Sequence, residues 1–404
     1  MVSVLVNIFG SHNLQLAEDV VQDALLSALD TWKFKGVPDN PRAWLYKVAR
    51  NQAIDIIRKG KHQLSFDFSD PKRKLLTSEY TLASTLDKYW QEEQVNDDFL
   101  GMMFACCHPS ISEQNQMTFI LKSLCGFSTR EVARAFLTDQ DTISKRLYRT
   151  KEFFRNSGIK PEIPPKSQLA AGTGAVLQTI YLLFNEGYNS TESDSLIRND
   201  LISQALYLGR SLAENQKTRL PETNALMALM CLHASRSPAR ITEDGNIIPL
   251  AKQDRTRWDR QMIMAGNEYL NRSAVGNSVS AYHLEAAIAY EHCVAPDYQS
   301  TNWESIGKHY DSLLTLTNDP VVALNRCIVI MELQGAEKAL ASIRDLQHHK
   351  SIGNYYLYHA ILGEIYQRLG DSNEAISAYQ RATQLTLSGS EKRYLVDKIS
   401  TIQH

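Results

Sequence analysis

The residues of this chain that are best suited to chemistry are cations gathered on two short stretches. Residues 145–160 carry six Lys and Arg side chains against a single acid, Glu152. Such side chains neutralise phosphates, so a local cluster of them suits a nucleic-acid backbone. The six are Lys145, Arg146, Arg149, Lys151, Arg155 and Lys160.

A helical wheel separates this stretch into two faces. At about 100° per residue, three apolar side chains fall together, namely Ile143, Leu147 and Phe154. The polar side chains opposite them are Thr142, Lys145 and Arg149, with Arg146 at the edge. The pattern predicts one packed face and one face that can reach DNA, although a basic solvated helix in an ordinary bundle would look the same.

A second basic stretch, residues 41–61, is also two-faced. Six Lys and Arg side chains between Arg42 and Lys61 are opposed only by Asp55. An aromatic ring beside a basic, amide-bearing face suits a stacked single-stranded base whose backbone is held electrostatically. Taken alone, the pattern favours the simpler interpretation, in which the tryptophan is core and the charges solvate the helix. The polar face carries Lys47, Arg50, Asn51 and Arg58, with Trp44 near its edge.

No combination of residues predicts catalysis, a metal site or a cofactor. The six cysteines are scattered without a CxxC spacing, which indicates reduced core residues of a cytosolic protein. Cys106, Cys107 and His108 are adjacent, and neighbouring side chains on a helix point in different directions. Two polar strings, NEGY at residues 185–188 and QDRTRWD at residues 253–259, supply no nucleophile with a base and no phosphate-binding loop.

Three helices between residues 110 and 155 must position the first cluster. Ser110, Ser128 and Thr138 each stand three residues before an acid, a spacing that predicts helix N-caps. Gly126 is placed to end the first helix, so the second should cover residues 129–136 and the third residues 140–155. A short helix, a turn and a longer helix form the helix-turn-helix arrangement, whose second member lies in the DNA major groove.

The segments before this unit read as helices and one tether. Residues 14–29 predict a helix opened by Asn13, with recurring Leu16, Val20, Leu25, Leu26 and Leu29 and an exposed acidic side. Asn40 and Pro41 predict the start of the next helix. Residues 60–77 read as a polar tether, and residues 82–107 as a further helix.

Beyond residue 160, prolines mark the main domain boundary. Pro161, Pro164 and Pro165 exclude a continuing helix and favour a stiff linker. Residues 168–404 read as helices throughout, and residues 356–385 carry the spacing of one tetratricopeptide repeat, with a degenerate unit before it at residues 321–346. The packing positions of the repeat at residues 356–385 are Leu362, Gly363, Tyr366, Ala375, Tyr379 and Ala382. Asp371 should cap the second helix of the repeat.

Charge and hydropathy add two expectations. The net charge is −2 overall, yet residues 1–160 hold 21 Lys and Arg against 19 Asp and Glu, with the cations bunched. No apolar run approaches the roughly 18 residues that span a bilayer, and no leader is evident, so we expect a cytoplasmic protein without membrane contact.

Several separate strings together resemble one family. The strings LAEDVVQDALLSAL, PDNPRAWLYKVARNQAIDIIRK and FSTREVARAFLTDQDTISKRLYRTK resemble regions 2 and 4 of bacterial extracytoplasmic-function sigma factors. The later strings YLLFNEGY, QDRTRWDR, YHLEAAIA and PVVALNR resemble the subgroup with a long tetratricopeptide-like C-terminal extension. The family's first helix usually begins further upstream. The resemblance therefore implies a shortened region 2 here, from either a misplaced start codon or a domain less stable than its relatives.

The resemblance implies partners for named residues. Docking on the clamp coiled coil of core RNA polymerase would fall to Asp19, Gln22 and Asp23. Contact with the opened minus-10 promoter element would fall to Arg42, Trp44, Lys47, Arg50, Asn51 and Arg58. Contact with the minus-35 element would fall to Thr142, Ser144, Lys145, Arg146 and Arg149.

We therefore predict an all-α protein, without catalysis, that directs core RNA polymerase to promoter DNA. The expected parts are region 2 (residues 1–62), a linker (63–96), region 4 with its helix-turn-helix (97–160), a proline-rich linker (161–167) and a helical, tetratricopeptide-like regulatory domain (168–404). An intramolecular contact between that domain and the sigma regions is expected. Two alternatives stay open: a helix-turn-helix regulator that acts without polymerase, and a tetratricopeptide adaptor that binds protein.

Overall fold

A computed structural model describes residues 1–59, 79–136, 138–159, 162–163, 166–190, 196–347, 349 and 352–403. Across these residues the chain forms 19 α-helices and no strand, with one isolated antiparallel bridge between Ile241 and Ile247. The predicted all-α class is confirmed. The chain divides into two compact units, Met1–Ile180 and Tyr181–His404.

The first unit contains eight helices before the one at its boundary. They are α1 (Val2–Phe9), α2 (Leu14–Lys35), α3 (Pro41–Lys59), α4 (Glu79–Tyr89), α5 (Glu92–Cys106), α6 (Glu113–Phe119), α7 (Thr129–Ala135) and α8 (Gln140–Ser157). Helix α9 (Lys166–Tyr188) contains the boundary between the two units.

The second unit continues the helical pattern to the end of the chain. Its helices are α10 (Asn199–Glu214), α11 (Pro221–Ala234), α12 (Arg260–Ser273), α13 (Ala281–Val294), α14 (Trp303–Thr317), α15 (Pro320–Gln334), α16 (Ala336–Arg344), α17 (Tyr356–Leu369), α18 (Ser372–Leu385) and α19 (Gly389–Gln403).

The predicted linkers are covered only in part. The whole of the predicted tether at residues 60–77 lies outside the described residues. Pro161, Pro164 and Pro165 also lie outside them. Helix α4 and the start of α5 fall within the predicted linker at residues 63–96. Leu82 and Leu86 are buried one helical turn apart, which explains the helix there. The predicted domain boundaries stay predictions.

Helix α2 buries a narrower stripe than its sequence indicates. Its buried positions, at helical spacing, are Leu14, Ala17, Val20, Ala24 and Ala28. Alanines on this stripe let α1 and α3 approach closely. Leu25, Leu26 and Leu29 belong to the apolar pattern but are exposed; Leu26 and Leu29 lie on the far side of the helix, and Leu25 lies at the edge of the buried stripe. Their exposure becomes relevant to the site below.

The helix-turn-helix forms as predicted, with two of its caps in different places. The first helix begins at Glu113 after Ser112, so the prediction of Ser110 as its cap was wrong. Ser128 and Glu131 make the predicted reciprocal cap of α7, with each backbone N–H bonded to the other side chain. Asp139, rather than the predicted Thr138, caps α8 by accepting a 2.7 Å bond from the backbone N–H of Thr142. A carboxylate one residue nearer the helix reaches that N–H more directly.

The tetratricopeptide-like repeat corresponds to α17 and α18. A Cβ placed on Gly363 would lie 2.7 Å from the Tyr379 ring, so the glycine lets these two helices touch. The predicted cap is confirmed, because Asp371 accepts a bond from the backbone N–H of Glu374. The predicted degenerate unit at residues 321–346 is a second helix pair, α15 and α16, separated by Gly335 at φ 91°.

Candidate nucleic-acid interface

The outward face of α8 presents cations to solvent. Ser144, Lys145 and Arg149 are exposed, while Ile143 and Phe154 on the opposite face are buried. The burial pattern therefore follows the predicted wheel. Lys145 and Arg149 make no ion pair within the part of the chain that the structure describes, so both are available to a phosphate or a base edge.

Three of the five predicted minus-35 residues are engaged within the protein. Ser144 donates its hydroxyl to the Gln140 carbonyl at 2.9 Å. Thr142 donates its hydroxyl to Asp139 at 2.8 Å as part of the helix cap, and these bonds lower the pKa of Asp139. Arg146 donates to Gln114 Oε1 at 2.7 Å and lies 5.7 Å from the centre of the Phe136 ring. Its guanidinium thus ties α8 to α6 and to the end of α7. Arg146 is held in place by packing before any DNA arrives.

Tyr148 joins this face, although sequence reasoning did not select it. The side chain is exposed and stands one helical turn after Lys145, next to Arg149. An exposed aromatic ring between two cations can contact a thymine methyl group or a sugar. The helical wheel contains this signal, because Tyr148 falls on the same side of α8 as Lys145 and Arg149.

The polar face of α3 is similarly divided. Lys47, Asn51 and Arg58 are exposed along one strip. Trp44, beside that strip, is half-buried and packs edge-on against Trp32 of α2, with ring centroids 5.4 Å apart. Trp44 therefore has one edge supported by the core, and it lies next to exposed cations. Asn40 caps this helix as predicted, since its Oδ1 accepts a 2.9 Å bond from the N–H of Ala43.

Arg42 and Arg50 are both engaged by neighbouring groups of the protein. Arg42 donates from Nε to the Tyr46 hydroxyl at 2.8 Å. Arg50 Nε lies 2.6 Å from Asp87 Oδ1, and its Nη2 donates to the Ala83 carbonyl at 3.3 Å. Arg50 also donates from Nη1 to Asn51 Oδ1 of α3 at 3.2 Å. Because its other two partners belong to α4, α4 covers one flank of the predicted minus-10 surface.

The outer face of α2 mixes acids with exposed apolar side chains. Asp19, Gln22 and Asp23 are all exposed, and their role in docking stays a prediction. The same face carries Leu26 and Leu29, with 68% of Leu29 exposed. Exposed leucines flanked by acids are typical of a surface that a partner protein covers. We call the set Asp19, Gln22, Asp23, Leu26 and Leu29 the α2 face.

Helix α8 also contacts α2 directly. Lys151 Nζ donates to Glu18 Oε2 at 2.6 Å, and only 15% of the Glu18 side chain is exposed. Lys151 lies on the back of α8, away from Lys145 and Arg149. This pair therefore joins the two predicted DNA-binding modules inside the first unit.

Comparison with known proteins agrees with this arrangement. Residues 2–63 match the family model for sigma-70 region 2, and residues 173–274 match a family of unknown function (DUF6596). An uncharacterized protein of Rhizobium meliloti (strain 1021) is 34% identical over 384 residues, which cover 95% of this chain and 89% of that protein. A probable RNA polymerase sigma factor of Haemophilus influenzae is 25% identical over 164 residues, covering 36% of this chain and 78% of that protein.

The chain belongs to the extracytoplasmic-function-like RNA polymerase sigma factors with a C-terminal extension. The region 2 match spans α1, α2 and α3, the helices that carry the α2 face and the first basic strip. The family of unknown function begins within α9 and ends just after α12. The helix pairs α15–α16 and α17–α18 lie beyond both matches.

The two polar strings of the second unit have structural roles in this sigma factor. In the first string, Tyr188 stacks on Phe184 and carries the Arg240 guanidinium 3.7 Å from its ring centre. In the second, Arg255 is buried and donates to the carbonyls of His292 and Ala295 at the end of α13. Arg255 therefore supplies a positive charge and donors where a helix terminus needs them.

Among the described residues, the cysteines belong to no group of side chains suited to holding a metal ion. Burial raises the pKa of Cys107 and of Cys125 to about 12, and it raises that of Cys106 well above its usual range. Thiols in this condition stay protonated and are poor ligands. In the described residues no group of three or more His, Cys, Asp or Glu side chains is placed to hold a metal ion. Within the same residues, no helix combines the length and apolarity needed to cross a membrane.

Proposed function

We propose that this sigma factor directs core RNA polymerase to particular promoters by dividing the recognition between α8 and α3. Helix α8 would enter the major groove of the minus-35 element, and α3 would hold the unpaired minus-10 strand. The observation that carries the proposal is that Lys145, Arg149, Lys47 and Arg58 are exposed cations on two separate helices of one unit. Contacts that are weak individually add when both modules act on one DNA. A protein with this role acts in the cytoplasm, where core polymerase is found.

Pulldown with core polymerase followed by run-off transcription tests the proposal directly. Promoter-dependent transcripts should appear only when the sigma factor is added, and the double variant Lys145→Ala/Arg149→Ala should abolish them while leaving the pulldown intact. Arg210→Ala is a matched control, because Arg210 is an exposed arginine in the second unit, paired with Glu214. DNA retention without polymerase-dependent transcripts would instead indicate a helix-turn-helix regulator. The absence of DNA retention at low salt would indicate a protein-binding adaptor.

The contribution of Arg149 can be resolved further. If its guanidinium reads a base edge, Arg149→Ala should cost about 1–3 kcal/mol at the preferred sequence and relax specificity at one position. If it touches a phosphate, the loss should be nearly equal for all sequences and the salt dependence should weaken. Gel-shift measurements on a set of single-base variants of the minus-35 element separate the two outcomes. Unchanged affinity would remove Arg149 from the interface.

The α2 face supports docking on polymerase. Burial of an exposed leucine contributes roughly 1.5–3 kcal/mol, so Leu29→Gln should weaken binding to core polymerase by about tenfold or more. Leu333→Gln is the control, because Leu333 is also an exposed leucine but lies in the second unit. Equal binding of both variants would argue against docking through α2.

We further propose that the C-terminal extension regulates the sigma regions. A truncation that tests this regulation must keep the first part of α9 in the chain. A Cβ on Gly172 would lie 3.0 Å from the Cys107 Cβ, so this end of α9 packs against the first unit. A chain that ends after Ile180 keeps that packing, whereas one that ends at residue 167 exposes it. If the chain ending at Ile180 is folded by circular dichroism and transcribes like the full chain, the extension does not regulate.

A further inference from the structure

The second unit contains a cavity of about 420 Å³ that the sigma function does not use. Its wall is formed by α13, α14, α15, α17, α18 and α19 together with the short turn Leu250–Lys252. Sites for small molecules range from roughly 300 to 1,000 Å³. The cavity is therefore of the right size for a small molecule.

Aromatic rings supply much of the wall. They are Tyr298, Trp303, Tyr310, Tyr379 and Tyr394. The Trp303 ring is fixed edge-on between Tyr298 and His292, with ring centroids 5.2 and 5.4 Å away. Ordered rings favour a flat apolar body, because it can stack on one ring and meet the edge of another.

The two acids of the wall are already neutralised by neighbours. Glu332 accepts a 2.6 Å bond from Arg368 and a 3.1 Å bond from the Tyr298 hydroxyl. Glu364 accepts a 2.7 Å bond from Lys398 and a 3.1 Å bond from the Tyr379 hydroxyl. Neither carboxylate therefore calls for a cationic ligand.

Several donors of the wall, in contrast, have no partner in the described part of the chain. The hydroxyls of Tyr310 and Tyr394 and the amide of Asn325 make no hydrogen bond there, and Lys252 makes no ion pair. Burial raises the pKa of Tyr310 and of Tyr394 to about 12, so both hydroxyls keep the proton that they can donate. His292 adds a buried Nδ1 without a partner. Tyr310, Asn325 and Tyr394 are half-buried donors, so a ligand that carries an acceptor can bond to them inside the cavity.

The wall as a whole has a net positive charge, which favours an anion, although Glu285 lies near Tyr310 and Glu364 near Tyr394. The wall carries three cations, Lys252, Arg368 and Lys398, against two acids. Behind His292 stand Arg236 and Arg255, which add to burial in lowering the pKa of His292 to about 3. The imidazole is therefore neutral at neutral pH, and the surrounding field is positive.

We infer that this cavity binds a small aromatic carboxylate, with its ring against Trp303 and its carboxylate received by Tyr310, Asn325 and Tyr394. Planar shape follows from the aromatic wall, and the negative charge follows from the unpaired donors and the excess of cations. The inference concerns binding to the second unit and does not depend on the proposed promoter role.

Isothermal titration of the full chain with 1-naphthoate tests this inference, with 1-naphthamide as the neutral comparator. We expect one naphthoate per chain, bound at least about tenfold more tightly than the amide, because charge-assisted hydrogen bonds are the stronger ones. Tyr310→Phe and Tyr394→Phe should each weaken naphthoate binding about two- to tenfold, the usual value of one hydrogen bond. Tyr207→Phe, outside the cavity, is the matched control and should bind as the unaltered chain does.

A blocking variant locates the site independently. Ala360 lines the cavity, so Ala360→Phe should fill it and abolish binding while circular dichroism stays helical. Equal binding of acid and amide, undiminished binding by both Tyr→Phe variants, or no saturable binding of naphthoate would each overturn the inference. Tighter binding of an acetylated pentapeptide ending in phenylalanine than of naphthoate would also overturn it, because the source of the carboxylate would then be a chain terminus.

Discussion

Replacement of Asp87 by asparagine should strengthen binding of single-stranded DNA by this sigma factor. Asp87 lies on α4 and pairs with Arg50 of α3, at 2.6 Å between Arg50 Nε and Asp87 Oδ1. Arg50 belongs to the proposed minus-10 surface. A phosphate that approaches this arginine must therefore displace the carboxylate first.

The size of the effect follows from the exposure of the pair. The Arg50 side chain is 21% exposed and that of Asp87 is 61% exposed, so solvent screens the attraction. Pairs of this kind contribute about 0.2–1 kcal/mol. The amide keeps the shape of the carboxylate but removes its charge, so the gain in affinity should be about 1.4- to 5-fold.

Fluorescence anisotropy with a labelled single-stranded minus-10 oligonucleotide at fixed low salt measures this gain. Loss of any negative charge near the DNA raises affinity, so a matched control is needed. Asp55 is an exposed acid of α3 with no ion pair among the described residues, and Asp55→Asn removes the same charge. The affinity for the oligonucleotide should rise about 1.4- to 5-fold more in Asp87→Asn than in Asp55→Asn.

Two results would refute this reasoning. Equal gains for the two variants would mean that α4 does not compete with DNA for Arg50. A loss of affinity in Asp87→Asn would mean that α4 and Arg50 stay together in the bound state, with the pair orienting the arginine.

Two further predictions concern the second unit. Gly363→Ala should lower the stability of this unit by about 1–3 kcal/mol in thermal unfolding, because the new methyl group meets the Tyr379 ring. Gly307→Ala is the control. It has only ordinary contacts around it and should be neutral or stabilising in the same measurement. Burial, followed by nearby cations, lowers the pKa of His233 and of His292 in the folded chain. The free energy of unfolding should therefore fall as pH drops below about 6.5, because the histidines of the unfolded chain take up protons there. Urea unfolding at pH 7 and at pH 5 measures this difference.

Local signals predicted much of the fold because each rests on a few neighbouring residues. The reciprocal cap of Ser128 and Glu131, and the small Gly363 facing Tyr379, depend on short-range spacing and close contacts that sequence displays directly. Choosing between neighbouring caps is harder. Asp139 and Thr138 are both good capping residues, and the choice depends on where the chain turns before α8.

Contacts between helices that are distant in the sequence could not be predicted from the sequence. Leu26 and Leu29 fit an apolar pattern, yet they are exposed because Ala24 and Ala28 form the side that packs. The engagement of Arg50 by α4 could not be predicted, since Ala83 and Asp87 lie more than 30 residues away along the chain. A helical wheel gives the direction of a side chain but not what lies opposite it.

The contact between Lys151 and Glu18 bears on how the free sigma factor is controlled. It uses the back of α8, so it leaves Lys145 and Arg149 exposed. The compact first unit therefore does not hide the surface proposed for the minus-35 element. It instead joins α8 to α2, the helix that packs against α3, and so links the two surfaces proposed for promoter binding within the first unit. If polymerase docks on the α2 face as proposed, it binds the helix that carries Glu18, and docking would then act on the contact that joins α2 to α8.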